Sequence, residues 1–126
     1  MVIDPSAILA ILLDEPEAER MAEAIADGSP RLLSAAGLLE ASIAIEGRRG
    51  EDGGRDLDLF IHRAGIEIVP VDAEQAQMAR VAWRRYGKGR HPAGLNFGDC
   101  FSYALAKVTG SRLLFKGEDF RRTDLA

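Results

Sequence analysis

Short apolar runs alternate with longer stretches of helical period along this chain. Met1-Val2-Ile3 is apolar throughout and leads into Asp4-Pro5, which predicts a short buried strand followed directly by a helix. Pro5 would sit in the first turn, where its missing N–H leaves no intrahelical bond unmade. That helix, residues 6–13, is mostly apolar. Ala18, Met21, Ala22, Ile25 and Ala26 repeat at about 3.6 residues and predict a second helix over 16–27, broken by Gly28-Ser29-Pro30. Arg31-Leu32-Leu33 predicts another strand, and Ser34 caps a helix running to about residue 46. Gly47, Gly50, Gly53 and Gly54 predict a loop over 47–54.

Leu57, Phe60, Ile61 and Ala64 mark the next helical face, and residues 66–71 predict a strand ended or edged by Pro70. Asp72 caps the following helix, with Gln75 completing a capping-box pattern. Ala76, Ala79, Trp83 and Tyr86 form its expected buried side, and Gly87 ends it. Residues 87–95 read as a glycine-rich, basic loop. Asn96 caps a helix whose apolar side is Phe97, Phe101, Ala104, Leu105 and Val108, ending at Gly110. Residues 112–115 predict a last clear strand, and 117–120 a turn or short helix. Short strands alternating with longer helices specify an α/β sandwich, a short-stranded parallel sheet flanked by helices.

Composition narrows the class. With 126 residues and no repeat or linker, the chain fits one domain, large enough to bury a core unaided. No run approaches the roughly 20 apolar residues of a membrane span. The N-terminus has no basic region leading to a cleavage site, so no secretory leader is expected. One cysteine, Cys100, excludes an internal disulfide, suits a reducing cytoplasm and reads as a small core residue. The net charge of −4 does not advertise nucleic-acid binding, yet Arg80, Arg84, Arg85, Lys88, Arg90 and His91 form a local basic stretch. That stretch reads equally as an electropositive rim for phosphates or as a solvated helix end.

The chemistry lies in the acids. Asp4 ends the first apolar run, Glu40 interrupts Leu38-Leu39-Glu40-Ala41, Asp99 lies between Phe97 and Cys100-Phe101, and Asp119 follows Leu113-Leu114-Phe115. Carboxylates so placed are costly unless paired or bound to a cation. In open α/β sheets, ligands bind beyond the carboxyl ends of the strands, where Asp4 and Asp119 would lie. Asp99, near the third position of a helix capped by Asn96, would point at the helix entrance, and Glu40 would lie in the second turn of its own helix. Each acid alone also reads as a cap or a surface residue; only the set argues for one pocket holding a divalent metal. An all-carboxylate set favours Mg²⁺ or Mn²⁺, and the lack of histidine pairs or CxxC disfavours zinc.

Four segments carry a resemblance. Met1-Val2-Ile3-Asp4-Pro5-Ser6-Ala7, Leu38-Leu39-Glu40-Ala41, Leu95-Asn96-Phe97-Gly98-Asp99-Cys100-Phe101-Ser102-Tyr103-Ala104 and Leu113-Leu114-Phe115-Lys116-Gly117-Glu118-Asp119-Phe120 resemble, in order and spacing, the PIN-domain ribonucleases of the VapC type, toxins of VapBC toxin–antitoxin pairs. The likeness covers nearly the whole chain and implies a single PIN domain over 1–126. Two positions depart from it. Pro5 stands where the family usually has Thr or Ser, which removes a hydroxyl and a backbone N–H, although Ser6 remains to hydrogen-bond Asp4 or a metal water. Gly117 stands where an acid is often found, leaving Asp119, or alternatively Glu118, as the fourth acid.

The resemblance implies a Mg²⁺-dependent endoribonuclease, with Mn²⁺ able to substitute, acting on tRNA or rRNA loops. Asp4, Glu40, Asp99 and Asp119 would be its catalytic set, with Asp4 and Asp99 on the metal. Ser6 and Asn96 would support that set, and Arg84, Arg85, Lys88 and Arg90 would bind RNA. It further implies a VapB antitoxin, a homodimer and a cytoplasmic location. The surplus of apolar residues over 7–13 offers a candidate antitoxin groove. Alternative readings are a silent PIN module that binds without cutting, favoured by Pro5; a flap-like DNA nuclease; and an ordinary α/β domain whose acids are caps.

Overall fold

β1 consists of Val2–Ile3 alone, and its two side chains leave the strand on opposite faces. Val2 packs with Leu32, Leu105 and Ala106, whereas Ile3 packs with Ala7, Ile8, Leu33, Ala41 and Ile45. This alternation divides the protein into layers in the computed structural model, which describes residues 1–125. In chain order, β1 is followed by α1 (Pro5–Leu12), α2 (Ala18–Asp27), β2 (Leu32–Ser34), α3 (Ala35–Arg63), β3 (Glu67–Val69), α4 (Ala73–Tyr86), α5 (Phe97–Thr109) and β4 (Leu113–Leu114). A 3₁₀ turn, Asp119–Arg122, comes last. The sheet order is β3-β2-β1-β4 with all neighbours parallel, in register Val2–Leu32, Val2–Leu113 and Leu33–Ile68. α1, α2 and α3 pack on one side of the sheet, and α5, backed by α4, on the other. Among the described residues no helix is long and apolar enough to cross a membrane.

Three expectations from the sequence need correction. The glycines over 47–54 do not make a loop. Helix continues through them, and Gly50 alone breaks it (φ 65°, ψ −159°). The break folds the second half back on the first, so that a Cβ on Gly53 would stand 2.8 Å from the Ile45 carbonyl oxygen and one on Gly54 2.6 Å from the Glu46 carboxylate. These glycines permit close approach inside a sharp corner rather than ending a helix. On α4 the buried side is Gln75, Ala82 and Tyr86, with Met78 and Ala79 half-buried, while Ala76 and Trp83 face outward. Asp72 does cap α4 through the Gln75 N–H (2.9 Å), but the Gln75 side chain donates to the Pro70 carbonyl instead of returning to Asp72.

In the candidate antitoxin groove, Ala7, Ile8 and Ala10 are buried, whereas Leu9, Ile11, Leu12 and Leu13 pack against the same core and stay partly exposed. Large exposed apolar side chains lie elsewhere: Leu39 and Ile43 on α3, Trp83 on α4, Phe97 on α5.

Arg31 ties the helix ends together. Its guanidinium donates to the carbonyls of Ile25 (2.7 Å), Ala26 (2.9 Å) and Gly28 (3.0 Å) at the end of α2, and of Ala64 (2.7 Å) at the end of α3. These are carbonyls a helix cannot satisfy internally. Arg31→Lys cannot reproduce the fork. It is expected to lower stability by about 2 kcal/mol, read as a lower denaturant midpoint at unchanged slope.

Candidate active site

The four acids arrive from four elements. Asp4 is the N-cap of α1: its Oδ2 accepts the Ser6 N–H at 3.0 Å, the bond expected of a cap to the second helical residue. Its Oδ1 accepts a 2.6 Å bond from the Ser102 hydroxyl, and the carboxylate is only 4% exposed. Burial pushes its pKa up, against the opposing hydrogen bonds of Ser102 and Ser6, and the charge of Asp119 pushes the same way as burial. Pro5, buried at the first position of α1, packs against Gly37 and leaves the Ser6–Asp4 bond in place.

Asp99 is the third residue of α5 and half of a reciprocal capping box. Asn96 accepts the Asp99 N–H at 2.9 Å, and the Asp99 carboxylate accepts the Asn96 N–H at 3.0 Å. The box fixes the carboxylate at the helix entrance. Its pKa is pushed up to about 7, first by burial, then by the charges of Asp4, Asp119 and Glu40, with the Asn96 N–H pulling downward. Glu40, in the second turn of α3, is likewise raised, by burial and then by Asp4. Its carboxylate lies against the backbone of Gly98, where a Cβ would fall 1.8 Å from Oε2. Asp119 opens the 3₁₀ turn and remains exposed, yet its charge is felt by both Asp4 and Asp99. Glu118 turns instead toward Arg121, at 3.6 Å.

The loop before Asp119 is latched to α1. The Lys116 N–H donates to Ser6 Oγ (2.9 Å), and Lys116 Nζ bonds Glu15 (2.9 Å). Ser6 thus serves both Asp4, through its N–H, and the segment leading to the fourth acid. Ser102 and Gly98 were not singled out from sequence. A glycine in the first turn of a helix has no propensity reason to be there, and Ser102 lies one helical turn beyond Asp99; those were the available signals.

Three hard-oxygen donors, Asp4, Glu40 and Asp99, whose pKa values are pushed up by burial and by neighbouring acids, are the electrostatic signature of a site suited to a divalent cation. Among the described residues, no three acidic, imidazole or thiol side chains already close on one point. The acids form a coupled rim, which fits Mg²⁺, an ion that keeps several waters and takes few protein ligands.

The basic residues lie at the end of α4 and in the loop after it. The Arg90 guanidinium stacks 4.5 Å over the Trp83 ring, and Arg85 lies 5.3 Å from the Tyr86 ring centroid. Among the described residues, Arg84, Arg85, Lys88 and Arg90 make no ion pair. His91 is built into the loop: its Nδ1 accepts the Ala93 N–H at 3.0 Å and its ring meets Tyr86 edge-on. Between α4 and α5 a groove of about 560 Å³, lined by Trp83, Phe97, Phe101, Arg80 and Lys88, runs up to Asn96. Cys100 is buried beside Asp99, and burial, then the Asp99 charge, push its thiol pKa up.

The model of the PIN domain family matches residues 1–125. A ribonuclease VapC of Mycolicibacterium smegmatis is 64% identical over 126 residues, covering 100% of this chain and 98% of its own length. This chain is a VapC-family PIN-domain ribonuclease. Ribonuclease VapC30 of Mycobacterium tuberculosis is 60% identical over the same length, covering 96% of that protein. The crystal structure of M. tuberculosis VapC20, a Sarcin-Ricin loop cleaving toxin, superposes with a TM-score of 0.80 over 99% of this chain and 95% of that one. At 16% identity it shows that the PIN fold is shared. As a VapC, the chain is the toxin of a toxin–antitoxin system, with an antitoxin and RNA as its partners, in a family that is typically metal dependent.

Proposed function

We propose that this VapC is a Mg²⁺-dependent cytoplasmic endoribonuclease. It hydrolyses phosphodiester bonds in tRNA or rRNA loops, where unstacked bases are accessible, and is held in check by a VapB antitoxin. The observation that carries this reading is the convergence of buried or half-buried Asp4, Glu40 and Asp99 from three separate elements, each pushed up by burial and by a neighbouring acid, with the Asp119 charge acting on Asp4 and Asp99. Asp4 and Asp99 would hold the ion, with Glu40 and Asp119 completing the negative rim. The ion would supply an acidified water and charge stabilisation at the phosphate. Ser6 and Asn96 hold the first and third acids in place through N–H bonds. Arg84, Arg85, Lys88 and Arg90, free of carboxylate partners among the described residues, would take the RNA backbone.

The test is cleavage of tRNA and rRNA by antitoxin-free protein with Mg²⁺ or Mn²⁺, then with EDTA, with Asp99→Asn as the control for contaminating nuclease. Metal-dependent cutting absent from the mutant is expected; equal cutting by both would refute the assignment. A silent module, favoured only by Pro5, predicts no cutting by the parent but restoration by Pro5→Thr.

Leu39 and Ile43 precede and follow Glu40 on α3, and Phe97 precedes Gly98 on α5, so the Glu40–Gly98 contact brings these exposed apolar side chains to one region. At 82% exposure Phe97 is the most solvent-exposed large apolar residue described, and we read this face as the homodimer surface. The double substitution Ile43→Asp with Phe97→Asp should convert dimer to monomer in light scattering, without loss of helical signal. An unchanged dimer mass would place the interface elsewhere.

A further inference from the structure

One contact in the site has no counterpart among the roles assigned above. Ser102 is 1% exposed, on the second turn of α5, and its hydroxyl donates to Asp4 Oδ1 at 2.6 Å across 98 residues of chain. A serine at such a position commonly bonds the carbonyl four residues back in its own helix; here it reaches out of its helix instead. The bond is short and charge-assisted, the stronger class of hydrogen bond. Asp4 Oδ2 is already engaged by the Ser6 N–H, so Ser102 fixes the second oxygen and with it the rotation of the carboxylate. Ser102 also lies on the helix that carries Asp99 and its capping box. A single hydroxyl therefore links the acid at the end of β1 to the helix presenting the third acid. Pro5 offers no hydroxyl and no N–H beside Asp4, which leaves Ser102 and Ser6 as the donors the structure shows there.

We propose that Ser102 is a positioning residue that sets the placement of the Asp4 carboxylate relative to Asp99 for divalent metal binding. This rests on the reading of Asp4 and Asp99 as the metal-holding pair. Partners that orient metal ligands from outside typically contribute a factor of about 10–100 in metal affinity.

The test is calorimetric Mn²⁺ titration of antitoxin-free protein for the parent, Asp99→Asn, Ser102→Ala, Ser102→Cys and Ser102→Thr, each with its metal-free melting temperature. Ser102→Ala should weaken Mn²⁺ binding by about 10–100-fold. Its melting temperature should fall by about 5–10 °C, the scale of one charge-assisted hydrogen bond in a chain of this size, and the fold should remain cooperative. Ser102→Cys keeps the volume but offers only a weak donor, and should track alanine; Ser102→Thr keeps the hydroxyl and should restore binding toward the parent. Parent-like affinity in both the alanine and cysteine variants, with binding lost in Asp99→Asn, would overturn the role of Ser102 alone. So would a loss in alanine that cysteine fully repairs, because packing would then be the cause. No Mn²⁺ binding by the parent would overturn the metal-site reading and this proposal with it.

Discussion

Asp99→Asn is expected to reduce metal-dependent RNA cleavage by about 10³-fold or more, the equivalent of roughly 4 kcal/mol. The same substitution should raise the melting temperature of the metal-free protein at pH 8. The two effects share one cause. Asp99 is buried among Asp4, Asp119 and Glu40, and its pKa stands at about 7, far above that of a carboxyl in the unfolded chain. Above pH 7 the folded protein must hold this charge next to three others, and asparagine removes it. The amide oxygen can still accept the Asn96 N–H, so the capping box survives. Because the folded pKa is raised, the native state binds more protons than the unfolded one between about pH 4 and pH 7. The parent therefore loses stability as pH rises through that window. The advantage of the mutant should be greatest at and above pH 7 and vanish toward pH 4. Melting curves without metal at pH 4.5, 6 and 8 check this; a mutant that melts below the parent at pH 8 would mean the acids are not coupled. The direction for Asp4 and Glu40 is the same.

Gly98→Ala is expected to separate stability from activity in one substitution. Gly98 lies inside α5, where alanine is favoured over glycine by roughly 0.5–1 kcal/mol. The three nearest atoms its new Cβ would meet belong to the Glu40 carboxylate, at 1.8–2.9 Å. That carboxylate is the end of a flexible side chain, so the fold accommodates the methyl by displacing it. The displaced group is one of the four acids. Misplacing a reacting or positioning group by about an ångström can cost around 100-fold in rate, and cleavage should fall by that order while the melting temperature holds or rises. Unchanged cleavage would show that Glu40 is not needed in its present position.

Which parts of this site could be read in advance follows from the range of the interactions. The Asn96 cap and the place of Asp99 in the first turn were legible because they are written in four consecutive residues with a helix behind them, although the return bond from the Asn96 N–H to the Asp99 carboxylate was not. Asp4 was legible because it ends a strand and starts a helix. The Glu40–Gly98 and Asp4–Ser102 contacts were not, because each joins positions far apart in sequence and depends on how α3, β1 and α5 pack. The glycines over 47–54 were misread for a related reason: they look like helix breakers, but Gly53 and Gly54 serve a contact with Ile45 and Glu46 that exists only once Gly50 has turned the chain. Trp83 was assigned to the core by period alone. The true face of α4 runs through Gln75, Ala82 and Tyr86, and Trp83 carries Arg90 on its ring.

The first two turns of α5 hold the Asn96–Asp99 box, the backbone seat of Glu40 at Gly98 and the Ser102 bond to Asp4. Seven consecutive residues, 96–102, thus supply the fixed ends of the contacts that join three acids, whose other ends are Asp4 and Glu40. Beyond that stretch α5 answers to the core instead: Tyr103, Ala104, Leu105 and Ala106 are buried, with Leu105 and Ala106 against Val2.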